Sequence, residues 1–444
     1  MDAGSRLLWF CRTRNLVSAN ADGNTAVAAI VAGLAPLFFL SVKGWTNALF
    51  LVLVLIALYD IFRRPDLYWP LWQDRRIGWL VATLASAFVA ILISQTLRWD
   101  FHPQPYDAPL RPLAGIAVLL YLTARRVNFL KLFQWTCPLA VLICAAELLL
   151  APDPFQKWGG RLSNYFVDPL SLGQYMLLLG VLSAFMINLV EKDGPIVIVL
   201  KLMALVAGFW VSVLTESRSG WIAIPLLFVI WLFAGARIRN MTVVVSGTVA
   251  LALVCVLAYL ALQPVHTRID YAVSDYHAYF TGGVRDTSGG LRLSLLRASW
   301  HLFLSQPLYG YGDGETPPLL TIPAIRPFYT DLLQYALTHN GAHNELFQNM
   351  IRSGIFGVVS TLMMFGMPFV LFWRATRSRI AEASAAGVVG LGYVAGVFCF
   401  SLTTEAFALK YLATFYALMV AAVAAQVISA EPNCRLTFGQ KGGV

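Results

Sequence analysis

Long apolar stretches alternate with short polar connections along almost the whole chain. Crossing the hydrocarbon core of a bilayer takes roughly 20 apolar residues in a helix. Twelve stretches approach that length, and they are centred near residues 33, 53, 87, 117, 141, 180, 205, 227, 251, 360, 392 and 418. The pattern predicts an all-α integral membrane protein, a bundle of about twelve transmembrane helices in which short connections make successive helices antiparallel.

One connection is much longer than the others and divides the chain into three parts. Residues 1–262 hold the first nine predicted spans, residues 263–342 form the long loop, and residues 343–444 hold the last three spans and a tail. The loop contains an amphipathic segment, Leu291 to Leu304, after a flexible stretch from Thr281 to Gly290. Because the loop is rich in aromatic residues, we expect it to fold as a cap on the bundle.

Composition and charge agree with this architecture. Hydrophobic residues make up 58% of the 444 residues, charged residues only 12%, and the mean hydropathy is +0.68, which excludes a soluble globular protein. Lys and Arg concentrate in alternate connections, as expected of cytoplasmic loops, so both termini are predicted to be cytoplasmic and the long loop outward, in the periplasm of a Gram-negative cell. The net charge of +9 is therefore mainly a topology signal, and nucleic-acid binding is not expected. The first span is expected to remain as a signal anchor.

Three outward segments each contain an arginine. Arg161 follows two glycines, so it is either an ordinary loop charge or a side chain whose backbone approaches a ligand closely. Arg218 lies between two apolar helices and needs a partner, which could be a lipid-linked phosphate, a lipid headgroup or Glu216. Arg292 and Arg297 lie five residues apart on the amphipathic segment and cannot face the same way, although both could be solvated. Together the three arginine-containing segments indicate a site that binds an anion without the help of a metal ion.

A histidine stands where the chain re-enters the membrane, in the run HNELFQNMIRSGIFG from His343 to Gly357. A histidine exchanges protons near neutral pH because its unperturbed pKa is about 6.5. Asn340 and Gly341 are expected to begin the helix, which would place His343 in its first turn, where anions are favoured. His339 is a rival, and His343 could also simply line the boundary between loop and helix. The six cysteines form no disulfide or metal pattern.

These residues resemble the motifs of the O-antigen ligases. His343 and Asn344 are followed after nine residues by Gly354 and Gly357, in the arrangement of the family's signature. Three further segments are similar to those of the wider family, which includes the O-antigen polymerases: TESRSGW around Arg218, the run from Arg292 through PLYGYG, and GGRLSNYFVDPLSLGQY around Arg161.

The resemblance implies a GT-C-like, metal-independent and inverting glycosyltransferase of the inner membrane that uses no cofactor. It would transfer a polysaccharide from undecaprenyl diphosphate to lipid A-core at the periplasmic face, with membrane lipids around it. Arg218 and Arg292 would stabilise the departing diphosphate, and His343 would act as the base or orient the attacking hydroxyl. The side chains assigned to substrate binding are Arg161, Asn344, Tyr311, Arg297 and His339; Arg161 could also help to stabilise the diphosphate.

Three alternatives remain open from the sequence. An O-antigen polymerase shares the donor and the chemistry, but polymerases of this family tend to have two large outward loops, and here there is one. A protein O-oligosaccharyltransferase would have the same architecture, because no motif specifies the acceptor. A flippase predicts charged residues deep in the bundle, where the conspicuous ones are Glu147 and Lys201, both placed where they could lie near span ends.

Overall fold

The computed structural model describes residues 23–150, 161–235, 241–312 and 317–431. These residues form seventeen α-helices, short 3-10 and π turns, and no β-strand. The helices are α1 (Gly23–Leu34), α2 (Trp45–Arg63), α3 (Pro65–Tyr68), α4 (Arg75–Arg98), α5 (Leu110–Ala124), α6 (Leu130–Leu150), α7 (Pro169–Phe185), α8 (Pro195–Leu214), α9 (Arg218–Trp221), α10 (Ala223–Ile230), α11 (Met241–Ala261), α12 (Gln263–Thr281), α13 (Ser288–Ser305), α14 (Asp331–His339), α15 (Glu345–Ala375), α16 (Ala381–Ser401) and α17 (Lys410–Ala430). The predicted all-α, polytopic membrane architecture is confirmed.

Within the described ranges, eight helices are long and apolar enough to cross a membrane: α2, α4, α6, α8, α11, α15, α16 and α17. Shorter apolar helical stretches cover Gly23–Leu34, Pro169–Phe185 and Arg218–Ala234. Each of the twelve predicted span centres lies in a helix. The count of twelve spans stays a prediction.

Helices α16 and α17 form the centre of the bundle, and nearly all of their residues are buried. Glycines let neighbouring helices approach α16 closely. A Cβ at Gly390 would lie 2.7 Å from the Phe372 ring of α15, and one at Gly392 would lie 2.9 Å from the Phe185 ring of α7. In contrast, no residue of α11 is buried.

The segment 263–342 is largely helical. The predicted amphipathic stretch lies in α13, and the Oγ1 of Thr287 caps this helix by accepting a hydrogen bond from the amide of Gly290 (3.1 Å). The stretch expected to be flexible, Thr281 to Gly290, is shorter than predicted, since α12 ends at its first residue and α13 begins at Ser288. Helices α13 and α14 share a second hydrophobic core that also contains Ile351 of α15.

One charged pair is buried near the start of α8. The Nζ of Lys201 lies 2.7 Å from the Oδ2 of Asp193 and donates a hydrogen bond to the carbonyl of Met186 (2.8 Å). The two side chains are 0% and 3% exposed. Lys201 is therefore satisfied by its neighbours, as a structural ion pair would be.

We expect Asp193→Ala to destabilise the protein strongly, by about 3–5 kcal/mol, because it leaves a buried ammonium without its carboxylate. The double variant Lys201→Met with Asp193→Asn removes both charges and should cost much less. Thermal unfolding in detergent compares the two. Equal losses in the single and double variants would contradict this account of the pair.

Candidate functional site

Helix α15 is broken one third of the way along its length. Ser353 (φ −131°, ψ 15°) and Gly354 (φ 58°, ψ −137°) depart from helical geometry. Residues 307–312 supply new partners for the backbone groups around this break. The amide of Tyr311 donates to the carbonyl of Ile351 (2.7 Å), and the amide of Gly312 donates to the carbonyl of Arg352 (2.9 Å). In the opposite direction, the amide of Ile355 donates to the carbonyl of Pro307 (2.8 Å).

The glycines of the signature create this junction. A Cβ at Gly354 would lie 2.6 Å from the carbonyl of Leu308, and one at Gly357 would collide with the carbonyl of Asn349 across the break. Gly310, in the docked segment, has a φ of 66° and lies against the carbonyl of Ile351. Two motifs that are separate in sequence, PLYGYG and the GxxG of the signature, thus form one structural unit.

The histidine loop, residues 340–344, connects α14 to the N-terminal part of α15. Our expectation that His343 lies in the first helical turn is wrong, because the helix begins at Glu345. Asn344 is the N-cap: its Oδ1 accepts from the amide of Phe347 (3.1 Å), while its Nδ2 donates to the carbonyl of Leu402 (3.0 Å). His343 precedes the cap, is half-buried and has a left-handed backbone with φ 50°.

Arg161 and Arg218 meet at the turn between α8 and α9. The guanidinium of Arg161 donates from Nε (3.0 Å) and Nη2 (2.8 Å) to the carbonyl of Thr215. Arg218 donates from Nη1 to the carbonyl of Arg268 (2.7 Å). The turn packs on α7, where the hydroxyl of Ser217 donates to the carbonyl of Leu170 (3.0 Å). Carbonyl groups orient both arginines without neutralising them.

Electrostatic effects connect these two arginines with each other and with Arg292. Burial lowers the pKa of Arg161, and the charge of Arg268 lowers it further. Asp168 opposes this change, and Arg218 adds the smallest lowering effect. Burial likewise lowers the pKa of Arg292, with added contributions from Arg218 and Arg161.

The histidine lies in the same electropositive region. Burial first, and then the charge of Arg292, lower the pKa of His343 from its usual 6.5. Its imidazole is therefore neutral at pH 7 and able to accept a proton. These effects link the four predicted residues pairwise: Arg161 and Arg218 act on Arg292, and Arg292 acts on His343. That they form one site stays a prediction.

A fourth arginine, Arg268 in the second turn of α12, was missed by the sequence analysis. Its side chain forms an ion pair with Glu216, and its carbonyl orients Arg218. Glu216 therefore does not pair with its neighbour Arg218, which was one of the alternatives. Because Arg268 lies 50 residues from Arg218, no local pattern indicates their contact.

The remaining predicted residues make contacts of their own. Arg297 is exposed; it donates from Nη1 to the hydroxyl of Tyr279 (3.1 Å) and lies 4.7 Å from the centre of the Phe328 ring. His339 is exposed and stacks on Tyr335 at 4.3 Å. Tyr311 is held by α15, and burial raises its pKa. The roles assigned to all these side chains stay predictions.

A cavity of about 670 Å³ lies between α4, α5 and α15, and we call it the Glu345 cavity. Both carboxyl oxygens of Glu345 are engaged: Oε1 accepts from the Nδ2 of Asn349 (2.9 Å), and Oε2 accepts from the amide of Phe407 (3.0 Å). The polar lining of the cavity contains both acidic and basic side chains and includes His102, Asp107, Glu345, Asn349, Arg352 and Lys410. Since Glu345 is two residues from His343, the cavity lies close to the histidine loop.

The described part of the chain has no group of three or more His, Cys, Asp or Glu side chains that could hold a metal ion.

Replacing Gly354 by alanine should open the junction, because the new Cβ meets backbone atoms and the residue needs a positive φ. Gly366→Ala is the matched control on the same helix, since nothing lies within 4 Å of its Cβ position. We expect the unfolding temperature to fall in the first variant and to stay equal or rise slightly in the second. Similar unfolding temperatures for both variants would contradict the steric argument.

Comparison with known proteins agrees with the motifs. Residues 202–362 match the profile of the family described as O-antigen ligase. The chain is 23% identical over 219 residues to the O-antigen ligase of Escherichia coli (strain K12), a match that spans 49% of this chain and 50% of that protein. It is also 23% identical over 343 residues to the O-antigen ligase of Salmonella typhimurium, covering 75% of this chain and 79% of that protein.

An uncharacterized protein of Haemophilus influenzae is 21% identical over 386 residues, which cover 84% of this chain and 92% of that protein. The region matched by the family profile contains Arg218, Arg268, Arg292 and His343. The resemblance seen in the sequence is thereby confirmed: residues 202–362 match the O-antigen ligase family model, and two relatives named O-antigen ligase align with the chain.

Proposed function

We propose that this protein transfers O-antigen polysaccharide from undecaprenyl diphosphate to a sugar hydroxyl of lipid A-core, at the periplasmic face of the inner membrane. The observation that supports the proposal is the electrostatic connection of Arg161 and Arg218 to Arg292, and of Arg292 to His343. The names of the E. coli and Salmonella relatives support the same activity.

The arginines supply the positive charge that a leaving diphosphate needs. As the glycosidic bond breaks, negative charge grows on the diphosphate, and donors that are already oriented stabilise it best. Arg161 and Arg218 are held by carbonyl oxygens and keep their full charge for the ligand. Arg268 adds a fourth positive group, which Glu216 neutralises while no anion is bound. The reaction would need no divalent metal.

His343 handles the acceptor in this mechanism. Its neutral imidazole accepts the proton of the attacking sugar hydroxyl, or orients that hydroxyl by a hydrogen bond. The hydroxyl oxygen forms the new bond to the anomeric carbon while the bond to the diphosphate breaks, so a single displacement inverts the configuration. The Glu345 cavity, with its carboxylate, amide and basic groups, offers room for acceptor sugars beside the histidine loop.

Residues 263–342 would then cover the sugars as a periplasmic cap, with residues 1–262 and 343–444 forming the membrane body. An O-antigen polymerase, which extends the glycan on its own lipid carrier, is the second candidate, since it would use the same arginines and histidine. The ligase names of the relatives and the single long loop favour the ligase.

Purified protein should transfer glycan from undecaprenyl diphosphate to lipid A-core in the presence of a chelator. His343→Ala and Arg218→Ala should each lower the rate by about two to four orders of magnitude, as expected for loss of a base or of a charge-stabilising group. His277→Ala is the matched control, because His277 is exposed on α12 and its ring contacts Thr281 of the same helix. Activity retained in His343→Ala but lost in His339→Ala would overturn the assignment.

A deletion strain separates ligase from polymerase. Without a ligase, long polymer should accumulate on undecaprenyl diphosphate, because the polymer is made but has no route to lipid A-core. Gel analysis of the lipid-linked glycans gives the answer. Accumulation of single repeat units would identify a polymerase instead.

A further inference from the structure

The connection between α16 and α17, residues 402–409, packs against the histidine loop. Asn344 donates to the carbonyl of Leu402 (3.0 Å), and Phe407 donates its amide to Glu345 (3.0 Å). Glu405 lies between these two contacts in sequence. Its carboxyl group lies directly against Gly341, where any Cβ would collide with Oε1. The carboxyl therefore occupies space that only a glycine leaves free.

The histidine loop needs such support because its backbone is strained. Gly341 and His343 have φ values of 76° and 50°. For a residue other than glycine, the left-handed region is unfavourable and persists only when the surroundings hold it. The amide of Ala342 is held by the Oε1 of Gln348 (2.9 Å), and the remaining support comes from residues 402–407.

Glu405 is chemically unusual for a supporting residue. Its Oε1 is buried without a hydrogen-bond partner among the described residues. Burial, and then the charge of Glu345, raise the pKa of the carboxyl to about 8, although Arg352 and the backbone amides of His343 and Ala342 favour its ionised form. Glu405 is therefore mostly protonated at neutral pH, unlike an exposed glutamate.

We propose that Glu405 is a positioning residue that holds the histidine loop in its left-handed conformation. The carboxyl fills the space beside Gly341 and meets the backbone of Ala342 and His343, which fixes where the imidazole points. The effect on catalysis rests on the proposed function, because it acts through His343. The effect of Glu405 on the conformation of the loop is independent of the proposed function.

Ionisation of Glu405 should weaken this support. The groups that face it are Glu345 and Arg352 on α15 and the histidine loop, so a second negative charge would arise next to Glu345 in a buried place. Moving the carboxylate toward water relieves that repulsion and draws residues 402–407 away from the loop. Transfer should therefore slow as the pH rises through about 8. On the acid side it should slow when His343 protonates, below its usual 6.5.

Two variants test the proposal in the transfer assay. Glu405→Gln is a neutral replacement of the same shape, and its kcat at pH 7 should stay within about threefold of the wild-type value, whereas Glu405→Ala should lower kcat about 10-fold to 100-fold, as small misplacements of catalytic groups do. The KM for the lipid-linked donor should stay unchanged in both, since the arginines are untouched. The alkaline fall in rate should disappear in Glu405→Gln.

Hydrogen–deuterium exchange tests the loop without any assay of activity. At pH 7 the peptide covering residues 340–348 should exchange faster in Glu405→Ala and at the wild-type rate in Glu405→Gln. If the wild type transfers no glycan, the proposed function fails and this measurement still decides the role of Glu405. Glutamine as damaging as alanine, an alkaline fall that persists in Glu405→Gln, or unchanged exchange in Glu405→Ala would each overturn the proposal. Should the alanine variant not fold, the pH profile of Glu405→Gln decides.

Discussion

The break in α15 can exist only because another segment satisfies its backbone groups. An unpaired amide or carbonyl in an apolar environment costs several kcal/mol. Residues 307–312 remove that cost with three backbone hydrogen bonds at Ile351, Arg352 and Ile355. The break sets the direction of the first turns of α15, and so the position of the histidine loop. The same contacts join the segment 263–342 to the bundle.

Main-chain oxygens rather than carboxylates hold the arginines of the candidate site. The carbonyls of Thr215 and Arg268 fix Arg161 and Arg218 in place but leave each with a full positive charge. A carboxylate partner would orient an arginine equally well but would neutralise the positive charge that attracts an anionic ligand. The described structure uses that stronger pairing for Arg268, whose partner is Glu216. Orientation without neutralisation is what the proposed binding of an anion by these arginines requires.

The sequence predicts those features whose cause is local. Apolar stretches predict the helices because burial in lipid requires length and composition, both of which can be read along the chain. The start of α15 was misplaced because Asn344 and Asn340 are both plausible caps, and the contact of Asn344 with Leu402 decides between them. Arg268 and Glu405 were missed for a related reason. Each acts through a contact with a distant segment, and one sequence contains no signal of such a contact.

Helix α11 gives the arginine cluster a mechanical connection to the bilayer. None of its residues is buried by the rest of the described chain, so its surface is available to lipid, and it continues almost directly into α12. Helix α12 holds the turn at residues 215–218 twice, through the Arg268 carbonyl and through the Arg268 guanidinium. A tilt of α11 in a bilayer would act on Arg218 through α12, so membrane thickness would be one of the variables that set the geometry of the site.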